Sequence, residues 1–262
     1  MKLELEGKSA LVTAASCGLG YHSAEALLRE GVQVAICSRD AERIEKAATR
    51  LSQAVGTSLF GFTADLTNES DIKNLIIQAK RALGKIDILV LSTGHPPTYP
   101  FSKARESDWA LGIDLILNPA IMITKALLPE MRERKWGRLI YIGSIFGLEA
   151  EASSVIQSTL RAGLNAFAKC IATEFAVDGI TSNVICPGYF DTPLVRELAA
   201  KYADESKTSI DSILDSWRNF APCNKFGKPE DLASLIAFLS SPKAEFINGT
   251  TIVADGGAIK QY

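Results

Sequence analysis

Metal-ligating residues are scarce in this sequence. It has two histidines, His22 and His95, and five cysteines, Cys17, Cys37, Cys170, Cys186 and Cys223, scattered and never spaced C-x-x-C. A structural zinc site needs four such donors brought together, so no metal site is expected. An odd number of isolated cysteines argues against a disulfide framework and for free thiols in a reducing cytoplasm. An excess of either charge is also missing. The 28 Lys and Arg stand against 30 Asp and Glu, a net charge of −2 with no basic stripe, which excludes nucleic acid as an expected partner. The stretch 1–7 has no apolar core of the kind a secretory leader carries. The longest apolar region, Leu111 to Leu128, is broken by Asp114, Asn118, Pro119 and Lys125. It reads as a buried helix and not as a membrane span.

With internal repeats, low-complexity tracts and linkers also absent, 262 residues of which 47% are apolar fit a single domain over 1–262. Apolar strand-like runs fall at about 8–13, 32–37, 58–63, 86–91, 138–143, 180–185 and 250–253. Helical patterns lie between them at about 18–30, 40–54, 69–83, 106–133, 153–177 and 229–240. Continuous apolar strands such as 86–91 suit a parallel sheet covered on both faces. Strict β/α alternation predicts an α/β fold, a Rossmann-type doubly wound parallel sheet of about seven strands. Pro119 removes a helix donor and marks a place for a kink. The segment around 190–222 breaks the alternation, with two short helices expected near 194–202 and 210–220. An insertion of that length is expected to cap a pocket.

In an open parallel sheet, ligands lie beyond the carboxyl ends of the strands, and here the unusual residues gather at those ends. The first strand runs into Thr13-Ala14-Ala15-Ser16-Cys17-Gly18-Leu19-Gly20 and then a helix. Glycine lets the backbone approach a pyrophosphate, and first-turn amides with the helix dipole favour its charge. The other strand ends bring Ser38 and Arg39, Asp65 and Leu66, Thr93 and Gly94, Gly143 and Ser144, and Pro187 and Gly188 with Thr192 nearby. At the second strand end an acid would bind ribose hydroxyls, whereas arginine suits a 2′-phosphate. Arg39, with no acid before Asp40, therefore favours NADP(H) over NAD(H). The plainer alternative is a solvated charge paired with Asp40 or Glu42.

These residues in this order resemble the short-chain dehydrogenase/reductase family, in particular its 3-oxoacyl-(acyl carrier protein) reductases. The matching landmarks are Gly18-Leu19-Gly20, Ala64-Asp65-Leu66, 84–90, Ser144, Ala162-Gly163-Leu164, 181–184 with Cys186-Pro187-Gly188, and Asp255-Gly256-Gly257. The resemblance implies a nicotinamide cofactor held by Thr13, Ser16, Cys17, Gly18, Leu19, Gly20, Ser38, Arg39, Asp65, Leu66, Thr93, Gly94, Arg161, Pro187, Gly188 and Thr192. It implies a cytoplasmic homo-oligomer, dimer or tetramer, built on the helices 106–133 and 153–177. The chain departs from the family at Ala14, where the first glycine stands, at Leu91-Ser92-Thr93-Gly94 in place of Asn-Asn-Ala-Gly, and in the catalytic set. Ser144 matches the family serine. Gln157 takes the tyrosine position, Arg161 the lysine position, and Ile116 falls near the asparagine position.

Gln157 and Arg161 lie four apart on a helix and so share a face. Glutamine bonds but does not titrate, and arginine stays charged. Arg161 is expected to hold the ribose or steady an oxyanion beside Ser144, the alternative being a salt bridge to Glu149 or Glu151. Ser144 has the alternative of a turn serine bonding its own backbone. His95, just past the fourth strand, is the candidate proton donor because histidine titrates in the right range. Tyr189 is a second candidate, or a pocket-wall aromatic. Two functions follow. One is a nicotinamide-dependent reductase or dehydrogenase acting on a small carbonyl compound or acyl thioester. The other is an NADP(H)-binding protein without redox turnover, serving as sensor, scaffold or non-redox enzyme.

Overall fold

The computed structural model describes residues 2–260. Strands and helices alternate as β1 (Ser9–Val12), α1 (Gly18–Arg29), β2 (Gln33–Ser38), α2 (Ala41–Val55), β3 (Phe60–Thr63), α3 (Glu69–Leu83), β4 (Ile88–Leu91), α4 (Glu106–Glu133), β5 (Gly137–Ile142), α5 (Val155–Phe175) and β6 (Ile180–Pro187), followed by α6 (Pro193–Ser206), α7 (Ile210–Phe220), α8 (Pro229–Leu239) and β7 (Thr251–Ala254). Each element expected from the sequence forms, with ends shifted by a few residues.

The strands make one parallel sheet of order β3-β2-β1-β4-β5-β6-β7. Alternate strand residues supply the two faces. Ala10, Val12, Ile88, Val90, Ile140 and Ile142 pack with Leu27, Ile44, Leu51 and Ile236 of α1, α2 and α8. Leu11, Leu89, Leu139, Tyr141 and Val184 pack with Ile72, Leu75, Ile123 and Leu164 of α3, α4 and α5. Each fully buried aliphatic side chain contributes roughly 1.5–3 kcal/mol, and a one-residue slip would turn every one of them to the wrong face. That fixes the register, and with it the positions of the strand ends. The edges differ from the expected two-sided burial: Phe60 on β3 is 42% exposed, and β7 is half-buried.

Chain winding reverses between β1 and β4, the place where a doubly wound sheet opens a crevice. These two strands are tied at both ends. Asp87 accepts from the Ser9 amide and hydroxyl, and the Thr13 hydroxyl donates to Ser92 O at 2.6 Å. Helix α4 runs without a break through Pro119 and Pro129. It is long and apolar enough to cross a membrane, yet it packs on the sheet layer beside α3 and α5, with Ile116, Ala120, Ile123, Leu127 and Met131 buried. The segment carrying α6 and α7 leaves and returns at one point, where Phe190 pairs with Gly227. There the Gly227 amide donates to Tyr189 O and the Asp191 amide to Gly227 O.

Candidate active site

One cavity of about 720 Å³ follows the carboxyl ends of β1, β2, β4, β5 and β6 and is walled by α6 and α7. Its floor begins at the turn after β1. Ala14 has φ +46°, a left-handed conformation that costs an L-residue roughly 1–2 kcal/mol. Gly20 is required by space: a Cβ there would lie 2.7 Å from Ala14 O and 3.0 Å from Thr13 O. Where α2 and α3 are capped by the side chains of Asp40 and Asn68, the N-cap residue of α1, Cys17, offers no side-chain acceptor. The first amides of α1 therefore keep their donors and their partial positive charge for an anion.

Two arginines flank the end of β2. Arg39 is exposed, lines the cavity and forms no ion pair among the described residues. Asp40 is occupied with the Arg43 amide at 2.9 Å, and Glu42 with Lys46, so the expected alternative partners of Arg39 are engaged elsewhere. Arg43, which sequence reasoning passed over, also lines the cavity. Its only sequence signal is a place on the first turn of α2. Ser16, Cys17, Gly18, Leu19, Gly20, Ser38, Asp65, Leu66, Thr93, Gly94, Pro187, Gly188 and Thr192 all reach the cavity. Asp65 also shapes the turn after β3 by accepting from the Thr67 amide and hydroxyl. Thr13 is a correction. It is fully buried with its hydroxyl committed to Ser92 O, and it holds the crevice without lining it.

Ser144, Gln157 and Arg161 meet at the other end, all nine-tenths buried or more. Ser144 Oγ accepts from Gln157 Nε2 at 3.1 Å and from the Phe146 amide at 3.2 Å. The turn-serine role and the site role thus coexist, and the hydroxyl hydrogen is left for a third partner. The turn at 145–147 packs directly on α5, where a Cβ on Gly147 would lie 2.8 Å from Arg161 backbone. Arg161 Nη1 donates to Ile142 O at 2.7 Å and Nη2 to Thr93 Oγ1 at 3.2 Å. The anticipated salt bridge is not made: Glu149 accepts from the Lys260 amide and Glu151 from Ser153. Burial without a counter-charge pulls the Arg161 pKa down to about 10, which still leaves it charged at neutral pH. Ile116 is wholly buried in the core, so α4 offers no polar group at that position.

His95 reaches the cavity as a neutral imidazole. Burial first, and the Arg161 charge second, push its pKa from 6.5 to about 4. Near neutrality it is an uncharged imidazole and not a reservoir of protons. Because the folded pKa lies below the unfolded value, the unfolded state binds more protons between the two. The stability contributed by neutral His95 is complete above about pH 6.5 and is lost as pH falls towards 4. Unfolding in urea at pH 7 and pH 4.5 is expected to show a smaller acid loss in His95→Gln than in the parent, by about 2 kcal/mol. Equal losses would refute the assignment. Burial also raises Tyr189 to about 12. Its ring stacks on Trp217 at 5.0 Å and 8°, with Phe220 edge-on at 6.0 Å, which makes it the pocket-wall aromatic. Tyr202 and Leu198 of α6 complete that wall.

A family model described as enoyl-(acyl carrier protein) reductase matches residues 13–258. The 3-oxoacyl-(acyl carrier protein) reductase FabG of Salmonella typhimurium is 30% identical over 255 residues, 97% of this chain and 98% of that protein. The chain belongs to the short-chain dehydrogenase/reductase family. Among solved structures, the L-sorbose reductase of Gluconobacter frateurii, complexed with NADPH and L-sorbose, superposes with a TM-score of 0.95 at 28% identity, covering 100% of both chains. An actinorhodin polyketide ketoreductase with NADPH gives 0.92 at 27% identity, covering 97% of this chain and 98% of that one. Family membership makes this an oxidoreductase fold with a nicotinamide cofactor site, and the cavity fits that group. The unspent amides of α1 suit a diphosphate, and the opposite end carries the buried cation of Arg161.

Proposed function

We propose that the protein reduces a carbonyl compound with NADPH, in a site whose serine and buried cation act without a titrating tyrosine. The observation that carries this reading is the continuity of one cavity from the free α1 amides and the two arginines to Ser144, Gln157 and Arg161. When bound, the cofactor supplies hydride. Arg39 and Arg43 would meet a 2′-phosphate, and Arg161 with Thr93 would face the nicotinamide end. Ser144, already accepting two hydrogen bonds, donates a hydrogen bond to the substrate carbonyl oxygen and keeps its proton. Arg161, nine-tenths buried, stabilises the negative charge that develops there, where a fixed charge counts for more than in bulk water. As the new C–H bond forms, the carbonyl π pair moves to oxygen, which takes its proton from water. The NADPH complexes of the L-sorbose and polyketide ketoreductase structures support the choice of cofactor. Self-association is supported by the exposed Leu111, Ile113 and Ile121 of α4, beside an apolar cleft between α4 and α5.

One observation favours the second reading, cofactor binding without turnover. Gln157 does not titrate, His95 is pushed to about 4 and Tyr189 to about 12, so none of these three exchanges a proton readily at neutral pH. Calorimetric titration with NADPH and NADH, followed by NADPH oxidation with ketones and 3-oxoacyl thioesters, separates the two. Reduction of any ketone supports the first reading. Tight NADPH binding with no turnover across the set supports the second, and no affinity for either coenzyme defeats both.

A further inference from the structure

Gln157 is 6% exposed and sits in the cavity wall near the start of α5. Its carboxamide nitrogen is used on Ser144, while its Oε1 is buried and accepts from nothing in the described chain. Folded proteins satisfy nearly all such atoms, so an unserved buried acceptor in a ligand cavity marks a missing donor. Arg161 Nε is likewise buried without a partner, yet it makes no hydrogen bond to this oxygen. Arg161, one turn further along α5, directs its two terminal nitrogens to Ile142 O and Thr93 Oγ1. With Gln157 Nε2 donating to Ser144 Oγ, the serine hydrogen is free for a carbonyl and Oε1 is the atom left without a donor. The donor therefore arrives with the ligand.

A plain ketone or thioester carbonyl only accepts hydrogen bonds; it can satisfy Ser144 but not Gln157. A hydroxyl on the carbon next to the carbonyl supplies what is lacking. The carbonyl oxygen accepts from the Ser144 hydroxyl, and the neighbouring hydroxyl donates to Gln157 Oε1. The rest of the ligand then faces Tyr189, Trp217 and Phe220, an aromatic wall in the same cavity. We infer that the substrate is an α-hydroxy ketone with an apolar or aromatic body, read by the Ser144–Gln157 pair. This deepens the reductase reading and rests on it.

The test is a binding measurement, so that it does not depend on turnover. Protein loaded with NADP⁺ is titrated by calorimetry with 2-hydroxyacetophenone and with acetophenone, after NADPH affinity has been measured on the same sample. The hydroxy ketone is expected to bind at least about tenfold more tightly, as a site built to pair a hydroxyl discriminates against the analogue without it. In Gln157→Leu the preference is expected to fall to within about twofold. In Gln157→Glu, which keeps an acceptor, it is expected to survive, and this second variant guards against a Leu variant that fails to fold. Equal affinity for the two ketones in the parent, or a preference untouched in folded Gln157→Leu, overturns the inference and leaves the cofactor reading intact. Failure to bind NADPH at all overturns both.

Discussion

Replacing Arg39 and Arg43 together by alanine will weaken NADPH binding by roughly 10²–10³-fold and leave NADH binding within about twofold. NADPH differs from NADH by one phosphate on the adenosine ribose, so any group that meets only that phosphate affects one coenzyme alone. Both side chains line the cavity at the end of β2, where Asp40 caps α2 through the Arg43 amide and lies 3.8 Å from Arg43 Nε. A hydrogen bond to a charged group is worth roughly 1.5–3 kcal/mol, and the planar guanidinium makes two at once to phosphate. Because Arg43 is 68% exposed, salt screens part of this, and the lower end of the range applies. Arg39→Ala alone is expected to cost about tenfold, the remainder falling on Arg43. The measurement is a pair of calorimetric isotherms for each protein at fixed ionic strength. A parallel loss of both coenzymes would mean that the arginines support the fold or the diphosphate, and NADP preference would have to be sought elsewhere.

The larger effect is expected in the other direction. Gln157→Tyr combined with Arg161→Lys will raise kcat for ketone reduction by roughly 10²–10⁴-fold, the usual value of a positioned acid. The Gln157 side chain already reaches Ser144 Oγ at 3.1 Å, so a phenol at this position stands beside the hydroxyl that meets the carbonyl oxygen. A lysine one turn later keeps the positive charge that lowers the phenol pKa, and its smaller head makes room in a wall where Arg161 is 93% buried, that is, 7% exposed. The single variants are expected to give much less, since a phenol without its cation, or a cation without its phenol, supplies only part of the unit. A matching sign is a new fall in kcat at high pH, where the phenol ionises. If the folded double variant binds NADPH and is no faster than the parent, the missing acid does not limit this protein.

Much of this was legible in the sequence because it depends on local pattern. The apolar run ending at Val12, the glycine turn and the amphipathic α1 announce themselves within about twenty residues, as a strand–turn–helix unit does, and α4 has the span 106–133 that its pattern implies. What was hidden depends on three-dimensional environment. Thr13 stands in a cofactor motif by position, yet the β1–β4 register buries it under Ser92. His95 has an ordinary histidine pKa in an unfolded chain, and only the walls of the cavity and the nearby guanidinium displace it. Arg43 and Tyr202 each occupy the cavity-facing side of a helix whose orientation is set by packing. The unserved oxygen of Gln157 is visible only once its neighbours are known to be occupied.

The aromatic wall has an arrangement with a consequence of its own. Tyr202, Trp217 and Phe220 come from one uninterrupted stretch that departs and rejoins at the Phe190–Gly227 pairing, with Tyr189 at its seam, whereas the floor beneath is assembled from strand ends contributed by the rest of the chain. Such a stretch behaves as a cassette with its two seams side by side. Exchanging 193–220 for a segment of different shape is a graft at one spot on the surface, and it leaves the coenzyme floor as it was. Substrate range and coenzyme choice can therefore diverge as separate heritable traits.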